Sequence, residues 1–264
     1  MSRKSKSYLP RLDLRRRARW ARRKLKGAPR AVRIVVIVAV LLAALALTNL
    51  VYHVARKPTE LFVLAGHTLD KEPAETWRSY AALFRAYATG TITPELLAAL
   101  AQVESSGNPL TRTYWRWQLS LNPLAIYQPA SSAVGLFQMT DAAYAEAARF
   151  CIRGGVVVDD GCGFTGLFIR VIPRHAIELT SVYLDRNVGA VLARAGDGTA
   201  NAQQKQDLAA VIHLCGAGPA TAFVRRGFQV ASGERCGDHL VAAYLARVNA
   251  MKRQFLRLAA EDRN

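Results

Sequence analysis

Apolar residues along the chain form one long uninterrupted run and afterwards recur at helical spacing. The run is residues 34–52, IVVIVAVLLAALALTNLVY, and its 19 positions carry no charged side chain. At about 1.5 Å per residue, a helix of this length is about 28 Å long, close to the hydrocarbon thickness of a bilayer. The pattern predicts a transmembrane helix. The alternatives are a buried helix of a soluble domain and a cleaved secretory signal.

Beyond this run, the spacing of apolar residues predicts a mainly α-helical body. An amphipathic helix with an aromatic stripe is expected within residues 53–90 and should stop at Gly90. The next helix should begin at Thr93, a hydroxyl cap followed by proline, and end near Ser105, before Gly107. Other helices are expected after Thr140 and near 174–194, 201–214, 219–226 and 237–260. No run of alternating residues predicts a strand.

The positive charge of the chain is concentrated before the apolar run. The net charge is +17, and residues 1–33 hold 14 of the 36 Lys and Arg residues but only one of the 19 acidic residues. Basic residues beside a membrane span favour a cytoplasmic location, so we expect the C-terminal body on the opposite side. Attraction to anionic lipid explains such a tail as well as nucleic acid would, and no nucleic-acid partner is expected.

These patterns divide the chain into four parts. We expect a basic cytoplasmic tail at 1–33, a transmembrane helix at 34–52, a juxtamembrane helical region at 53–90, and a catalytic or binding domain at 91–260.

All four cysteines follow the apolar run, as expected for a domain in an oxidising compartment. Four cysteines allow three disulfide connectivities. We favour Cys151–Cys162 and Cys215–Cys236, because each bond would close a glycine-rich loop. Four reduced, buried thiols are the alternative. No CxxC or HExxH spacing indicates a metal site, and no cofactor is expected.

A single carboxylate ends the helix predicted in TPELLAALAQVESSGNPL, residues 93–110. Glu104 lies four residues after Leu100 and seven after Leu97, which places it at the edge of the apolar stripe. Removal from water favours the protonated form of a carboxyl group, and such an acid can protonate a leaving group. The alternative is a helix-end glutamate whose carboxylate reaches water.

A second segment supports the chemical interpretation. The residues from Glu104 to Pro109, ESSGNP, are followed about thirty residues later by the turn GLFQ, 135–138. Together they resemble the lytic transglycosylases that have a soluble-lytic-transglycosylase, lysozyme-like domain. That family carries a Glu-Ser signature ending in Asn-Pro and then a Gly-Leu-Met-Gln turn. The helix IELTSVYL, 177–184, and the segment YLARV, 244–248, resemble two later family helices in the same order.

The chain departs from the family at several positions, including Phe137 in place of the turn's Met and Ala176 in place of an asparagine beside the helix 177–184. Where the family has Ala-Tyr-Asn-Ala-Gly, this sequence has Ile212, His213, Leu214, Cys215 and Gly216. The change puts substrate contacts in doubt and marks a divergent branch.

The resemblance implies a mainly α-helical, lysozyme-like domain behind one transmembrane helix in the bacterial inner membrane, with the domain in the periplasm. It implies cleavage of the β-1,4 bond between N-acetylmuramic acid and N-acetylglucosamine in the glycan strands of peptidoglycan, without a cofactor. Glu104 would first protonate the glycosidic oxygen and then deprotonate the muramoyl C6 hydroxyl, closing a 1,6-anhydro ring.

Five further residues are candidates for substrate binding, and each has a structural alternative. Gln138 can both donate and accept through its amide, or it can merely form the turn. Ser105 and Ser106 can reach Glu104 or cap the helix. Tyr244 and His213 can face the groove or pack in the core.

Three other residues carry weaker signals. Asp141 is more simply a helix-start residue than a second acid. Trp115 and Trp117 can stack on sugars or anchor a long insert.

Two other functions remain open. One is a lysozyme-type hydrolase on the same fold, in which water completes the reaction. The other is a weakly active peptidoglycan-binding scaffold in an envelope, secretion or conjugation complex.

Overall fold

The computed structural model describes residues 27–57, 60–61, 66–162 and 169–262. The chain forms two compact units, Met1–Arg56 and Lys57–Asn264. Eight α-helices make the described part of the protein mainly helical, as the sequence predicts. The tail predicted at 1–33 lies largely outside the described residues.

The first unit contributes helix α1, Arg30–Arg56. Its 27 residues and apolar composition are sufficient to cross a membrane, and it is the one helix of this kind in the described part of the chain. A signal sequence near the N-terminus would have the same properties. A core helix of a soluble protein would be buried, whereas only Asn49 of α1 is buried.

The second unit begins with two helices whose ends follow local sequence signals. Helix α2, Pro73–Ala86, starts with a capping box in which Glu72 and Glu75 exchange side-chain and backbone hydrogen bonds. It ends four residues before the predicted stop at Gly90. Helix α3, Pro94–Ser105, is capped by Thr93, whose hydroxyl accepts from the Leu96 amide at 3.3 Å.

Helix α2 belongs to the core of the second unit. Trp77 and Phe84 are buried on its inner face and belong to the main apolar cluster. At Gly107, φ is +68° and an added Cβ would lie 2.2 Å from Thr76 Oγ1, so α2 crowds the end of α3. Helix α2 therefore belongs to the same compact unit as the later helices.

The remaining helices complete the core. They are α4, Asp141–Ala147; α5, Pro173–Ala195; α6, Ala202–Cys215; α7, Ala217–Arg225; and α8, Val241–Glu261. Helix α3 packs against α2 and α8, α8 also packs against α6, and α6 and α7 pack against α5. The ends of α3, α6 and α8 thus meet around one point.

Three short antiparallel hairpins occur where the sequence predicts no strand. Strands β1, Trp115–Trp117, and β2, Tyr127–Pro129, form the first. The others pair β3, Cys151–Arg153, with β4, Val156–Val158, and β5, Arg235–Cys236, with β6, His239–Leu240. Strands of two or three residues are too short to produce an alternating pattern.

Both favoured disulfide bonds are present. Cys151 is bonded to Cys162, and Cys215 to Cys236. The second bond ties the end of α6 to the hairpin that precedes α8.

Candidate active site

Glu104 lies at the C-terminal end of α3 and is held on the inner side of the protein. Leu96, Leu97 and Leu100 of the same helix are fully buried, whereas 17% of the Glu104 side chain is exposed. The predicted position at the edge of the apolar stripe is therefore confirmed. Its carboxyl group therefore lies beside an apolar wall and has limited access to solvent.

The Glu104 carboxyl group contacts side chains from two other helices. The hydroxyl of Tyr244, on α8, donates a hydrogen bond to Glu104 Oε1 at 2.5 Å. His213 Nδ1, on α6, lies 3.2 Å from the Tyr244 hydroxyl and 3.5 Å from Glu104 Oε1. The structure thus brings together three of the six predicted site residues.

The other ring nitrogen of His213 fixes the tautomer. His213 Nε2 lies 3.1 Å from the backbone carbonyl oxygen of Phe137. Because a carbonyl oxygen can only accept, Nε2 carries a hydrogen. Nδ1, which faces Tyr244 and Glu104, is therefore the acceptor nitrogen of the neutral ring.

The cluster has two self-consistent proton arrangements. In one, protonated Glu104 donates to the Tyr244 oxygen, and Tyr244 donates to neutral His213 Nδ1. In the other, Tyr244 donates to the Glu104 carboxylate, and Nδ1 of the His213 imidazolium donates to the Tyr244 oxygen or to Glu104 Oε1. Both contain the same number of protons, so a proton can move between the carboxyl group and the imidazole without a change of net charge.

Tyr244 remains the neutral member of this cluster. It is 3% exposed. Burial, together with the negative charge of Glu104 and the hydrogen bond to it, raises the pKa of Tyr244 well above its usual value of 10. Its hydroxyl therefore keeps its hydrogen throughout the neutral pH range.

The turn 135–138 joins the helices that carry Glu104 and His213. At Gly135, φ is +82° and an added Cβ would lie 2.3 Å from the carbonyl oxygen of Arg170, so only glycine fits. The next two carbonyl oxygens accept hydrogen bonds, Leu136 from the Ser105 hydroxyl at 2.8 Å and Phe137 from His213.

Gln138 ends this turn with a positive φ of 47°. Its Nε2 donates to the carbonyl oxygens of Thr111 and Gly135 at 2.9 and 3.0 Å. Both partner atoms are hydrogen-bond acceptors, so the amide nitrogen must point toward them. The Gln138 Oε1 atom is then available to a ligand. Gln138 thus forms the turn and also lines the neighbouring cleft.

An open cleft of about 200 Å³ is lined in part by His213. Glu104 is not among its lining residues but lies 3.5 Å from His213 Nδ1. Gln138, Thr180, Tyr183 and Leu214 contribute to the lining, and no carboxylate does so among the residues that the structure describes.

Sequence analysis missed the two polar residues that helix α5 contributes to the cleft. Thr180 Oγ1 is buried and has no hydrogen-bond partner within the described residues. Tyr183 lies on the same helix, α5, and burial raises the pKa of its hydroxyl. Both residues fall within IELTSVYL, where a threonine and a tyrosine among apolar residues were the available signal.

Two predicted site residues, Ser105 and Ser106, belong neither to the Glu104 cluster nor to the lining of the cleft. Ser105 is buried, and its hydroxyl lies within hydrogen-bond distance of the carbonyl oxygens of Ala101 and Leu136. Ser106 is exposed and adopts the left-handed conformation that ends α3. Both residues therefore shape the end of the helix.

The weaker candidates also lie outside the Glu104 cluster. Asp141 is the first residue of α4 and pairs with Arg170 at 2.5 Å. Trp115 Nε1 donates to Glu60 at 2.7 Å, and the ring of Trp117 stacks on Tyr127. Asp141 thus has the helix-start position that its sequence predicts.

The described residues contain no group of three or more His, Cys, Asp or Glu side chains that could hold a metal ion.

Comparison of the chain with models of protein families gives no match. Comparison with curated protein sequences gives no significant match either.

Proposed function

We propose that this protein is a membrane-anchored lytic transglycosylase that cleaves the β-1,4 bond between N-acetylmuramic acid and N-acetylglucosamine in peptidoglycan. Its domain would adopt the lysozyme-like fold, and α1 would hold it in the inner membrane with the domain in the periplasm. The observation that carries the proposal is the contact of a single shielded carboxyl group, Glu104, with Tyr244 and His213, the latter lining a cleft whose described residues include no carboxylate.

The proposed reaction needs one acid that later acts as a base. Protonated Glu104 gives its proton to the glycosidic oxygen as the bond from C1 to that oxygen breaks. The substrate's acetamido group stabilises the positive sugar. The muramoyl C6 hydroxyl then attacks C1, and its proton returns to Glu104. No water is consumed, and the product is a 1,6-anhydro sugar.

The neighbours of Glu104 suit this cycle. During the interval when Glu104 is a carboxylate, the Tyr244 hydroxyl donates to it and stabilises its charge. The proton of the C6 hydroxyl restores the acid form of Glu104. His213 Nδ1, 3.2 Å from the Tyr244 hydroxyl, can exchange a proton with Glu104 through Tyr244 between cycles. Most glycosidases instead use two carboxyl groups that flank the scissile bond.

The cleft offers polar groups that match an N-acetylated sugar. Gln138 Oε1 can accept from an acetamido N–H, and Thr180 Oγ1 can donate to or accept from a sugar oxygen. A buried hydroxyl without a partner carries a cost that a bound polar ligand would remove.

The test compares three full-length proteins in detergent, each incubated with peptidoglycan sacculi. They are the parent, Glu104→Gln, and Glu95→Gln, a control in the first turn of the same helix. We expect 1,6-anhydro-muropeptides from the parent and the control. Glu104→Gln should lose at least about 100-fold in rate, because it can no longer transfer a proton.

Product mass separates the alternatives. Fragments heavier by one water molecule, with reducing ends, would identify a lysozyme-type hydrolase. Binding to sacculi without cleavage by any of the three proteins would leave a peptidoglycan-binding scaffold in an envelope or secretion complex. The apolar Leu214 in the cleft, where the resembling enzymes carry asparagine, is the observation that favours this scaffold.

A further inference from the structure

An exposed apolar surface lies in a segment that begins ten residues after Glu104 and contains no residue of the Glu104 cluster. The segment 114–130, here called the aromatic hairpin, contains β1, β2 and the loop between them. Leu119 and Leu121 in the loop are fully exposed, and 74% of Trp117 is exposed. Tyr114 and Tyr127 are exposed as well. A soluble surface rarely gathers so many large apolar side chains without a partner.

The base of the aromatic hairpin is attached to the residue that follows α1. The ammonium group of Lys57 donates to the carbonyl oxygens of Ser131 and Ala133 at 3.3 and 3.2 Å. The Glu60 carboxylate, 3.3 Å from Lys57, accepts from Arg112 and Trp115. Lys57 is also the residue that follows Arg56, the last residue of α1, in the chain. Helix α1 is the one described helix that could cross a membrane.

The charge of this region favours an anionic surface. No Asp or Glu occurs between Glu104 and Asp141. Arg112 is paired with Glu60, so Arg116 supplies the positive charge of this segment. Arg116 is exposed in β1, between the two tryptophans. A cation beside tryptophan, tyrosine and leucine matches the interface of a bilayer, where aromatic rings lie at headgroup depth and basic groups contact anionic headgroups.

The same features argue against a glycan strand as the occupant. One face of Trp117 is stacked on Tyr127, with ring centroids 4.6 Å apart. Leu119 and Leu121 offer no hydrogen bonds to sugar hydroxyls. We propose that the aromatic hairpin inserts Trp117, Leu119 and Leu121 into the interface of an anionic bilayer. This docking would hold the second unit close to the membrane surface, and it does not rest on the proposed enzymatic activity.

The experiment measures the depth of a spin label in the full-length protein, reconstituted in phosphatidylcholine vesicles with and without phosphatidylglycerol. One protein carries the label at Leu119→Cys and a control carries it at Ala260→Cys, an exposed position on α8. All four native cysteines are paired, so labelling without reductant is selective. The accessibility of each label to oxygen and to a water-soluble nickel chelate reports whether it lies in lipid.

We expect the ratio of oxygen to chelate accessibility at position 119 to exceed that at 260 by about three-fold or more in anionic vesicles. Arg116→Gln should reduce the extent to which phosphatidylglycerol increases this ratio at position 119. These surface substitutions remove no core contact, and circular dichroism checks the fold.

Three outcomes would overturn the proposal. The label at 119 could remain as accessible to the chelate as the label at 260. It could be immobilised only by added sacculi, which would identify a glycan partner. It could show spin–spin broadening in detergent without lipid, which would identify a second copy of the chain.

Discussion

The Tyr244 hydroxyl lies 2.5 Å from Glu104 Oε1, although 140 residues separate the two in sequence. The contact joins the end of α3 to the first turn of α8. His213 adds a third helix to the same point, because its Nδ1 lies 3.2 Å from the Tyr244 hydroxyl. The environment of the carboxyl group thus depends on the packing of three helices.

Removal of the Tyr244 hydroxyl should impair activity more than stability. Tyr244→Phe keeps the ring in the core but removes the donor to Glu104. We expect the rate of muropeptide release to fall about ten-fold or more, and the free energy of unfolding to fall by only about 1 kcal/mol. Tyr80→Phe, at another buried tyrosine, is the matched control and should retain full activity. Equal activity of the two variants would contradict the assigned role of Tyr244.

The same variant should change the alkaline stability of the protein. Burial and the Glu104 charge raise the pKa of Tyr244 in the folded state above its value in the unfolded chain. The folded protein therefore holds this proton more tightly, and its stability falls as the pH rises above about 10. Denaturant titrations at neutral and alkaline pH should show a smaller loss for Tyr244→Phe than for the parent. A parallel loss in both proteins would exclude a contribution from Tyr244.

Two substitutions at His213 should separate proton transfer from structure. Gln can still donate to the Phe137 carbonyl oxygen but cannot store a proton, so His213→Gln should remain folded and lose about 10- to 100-fold in rate. Leu supplies no donor, so His213→Leu should in addition lower the free energy of unfolding by about 1 to 3 kcal/mol. The pH–rate profile provides the readout. An unchanged profile in His213→Gln would assign the histidine a purely structural role.

The turn that links the catalytic helices should not tolerate a side chain at Gly135. Gly135→Ala places Cβ against the Arg170 carbonyl oxygen at a φ of +82°, so we expect a loss of about 2 kcal/mol or more in unfolding free energy, with reduced activity. Gly218→Ala, in α7 with open space around it, should instead be neutral or stabilising by about 0.5 kcal/mol. Thermal unfolding compares the two. Similar melting temperatures would contradict the close approach.

The two disulfide bonds should differ in their effect on activity. Replacement of either cysteine pair by alanine removes a loop constraint of similar size, about 3 kcal/mol in the chain-entropy model. Cys215 lies two residues after His213, and Cys236 precedes α8, which carries Tyr244. Loss of this pair should therefore reduce activity at temperatures where the protein is still folded. Loss of the Cys151–Cys162 bond should affect mainly stability. Equal losses of activity in the two double variants would contradict this prediction.

Much of the local structure could be predicted from sequence. The start of α3 follows from Thr93 and Pro94, and the partly buried position of Glu104 follows from its spacing to Leu97 and Leu100. Both disulfide pairings were favoured from their loops. These features depend on neighbours within a few turns or on short loops, so local physical chemistry is sufficient to determine them.

Other features depended on the tertiary structure. Ser105 was expected near the substrate, but the carbonyl oxygen of Leu136 lies within hydrogen-bond distance of its hydroxyl and the residue is buried. Thr180 was missed because its place in the cleft depends on how α5 packs against α6. The aromatic hairpin gave no strand signal, since its three-residue strands are too short.

The sequence by itself determined the apolar α1, the helical character of the second unit and the candidate acid. Periodicity and composition act over short distances along the chain, and these properties require nothing more. Only the tertiary structure brought His213 and Tyr244 to Glu104 and assigned the hydrogen on His213 Nε2. Those contacts join residues from helices α3, α6 and α8, and their geometry arises from packing between helices that no local pattern records.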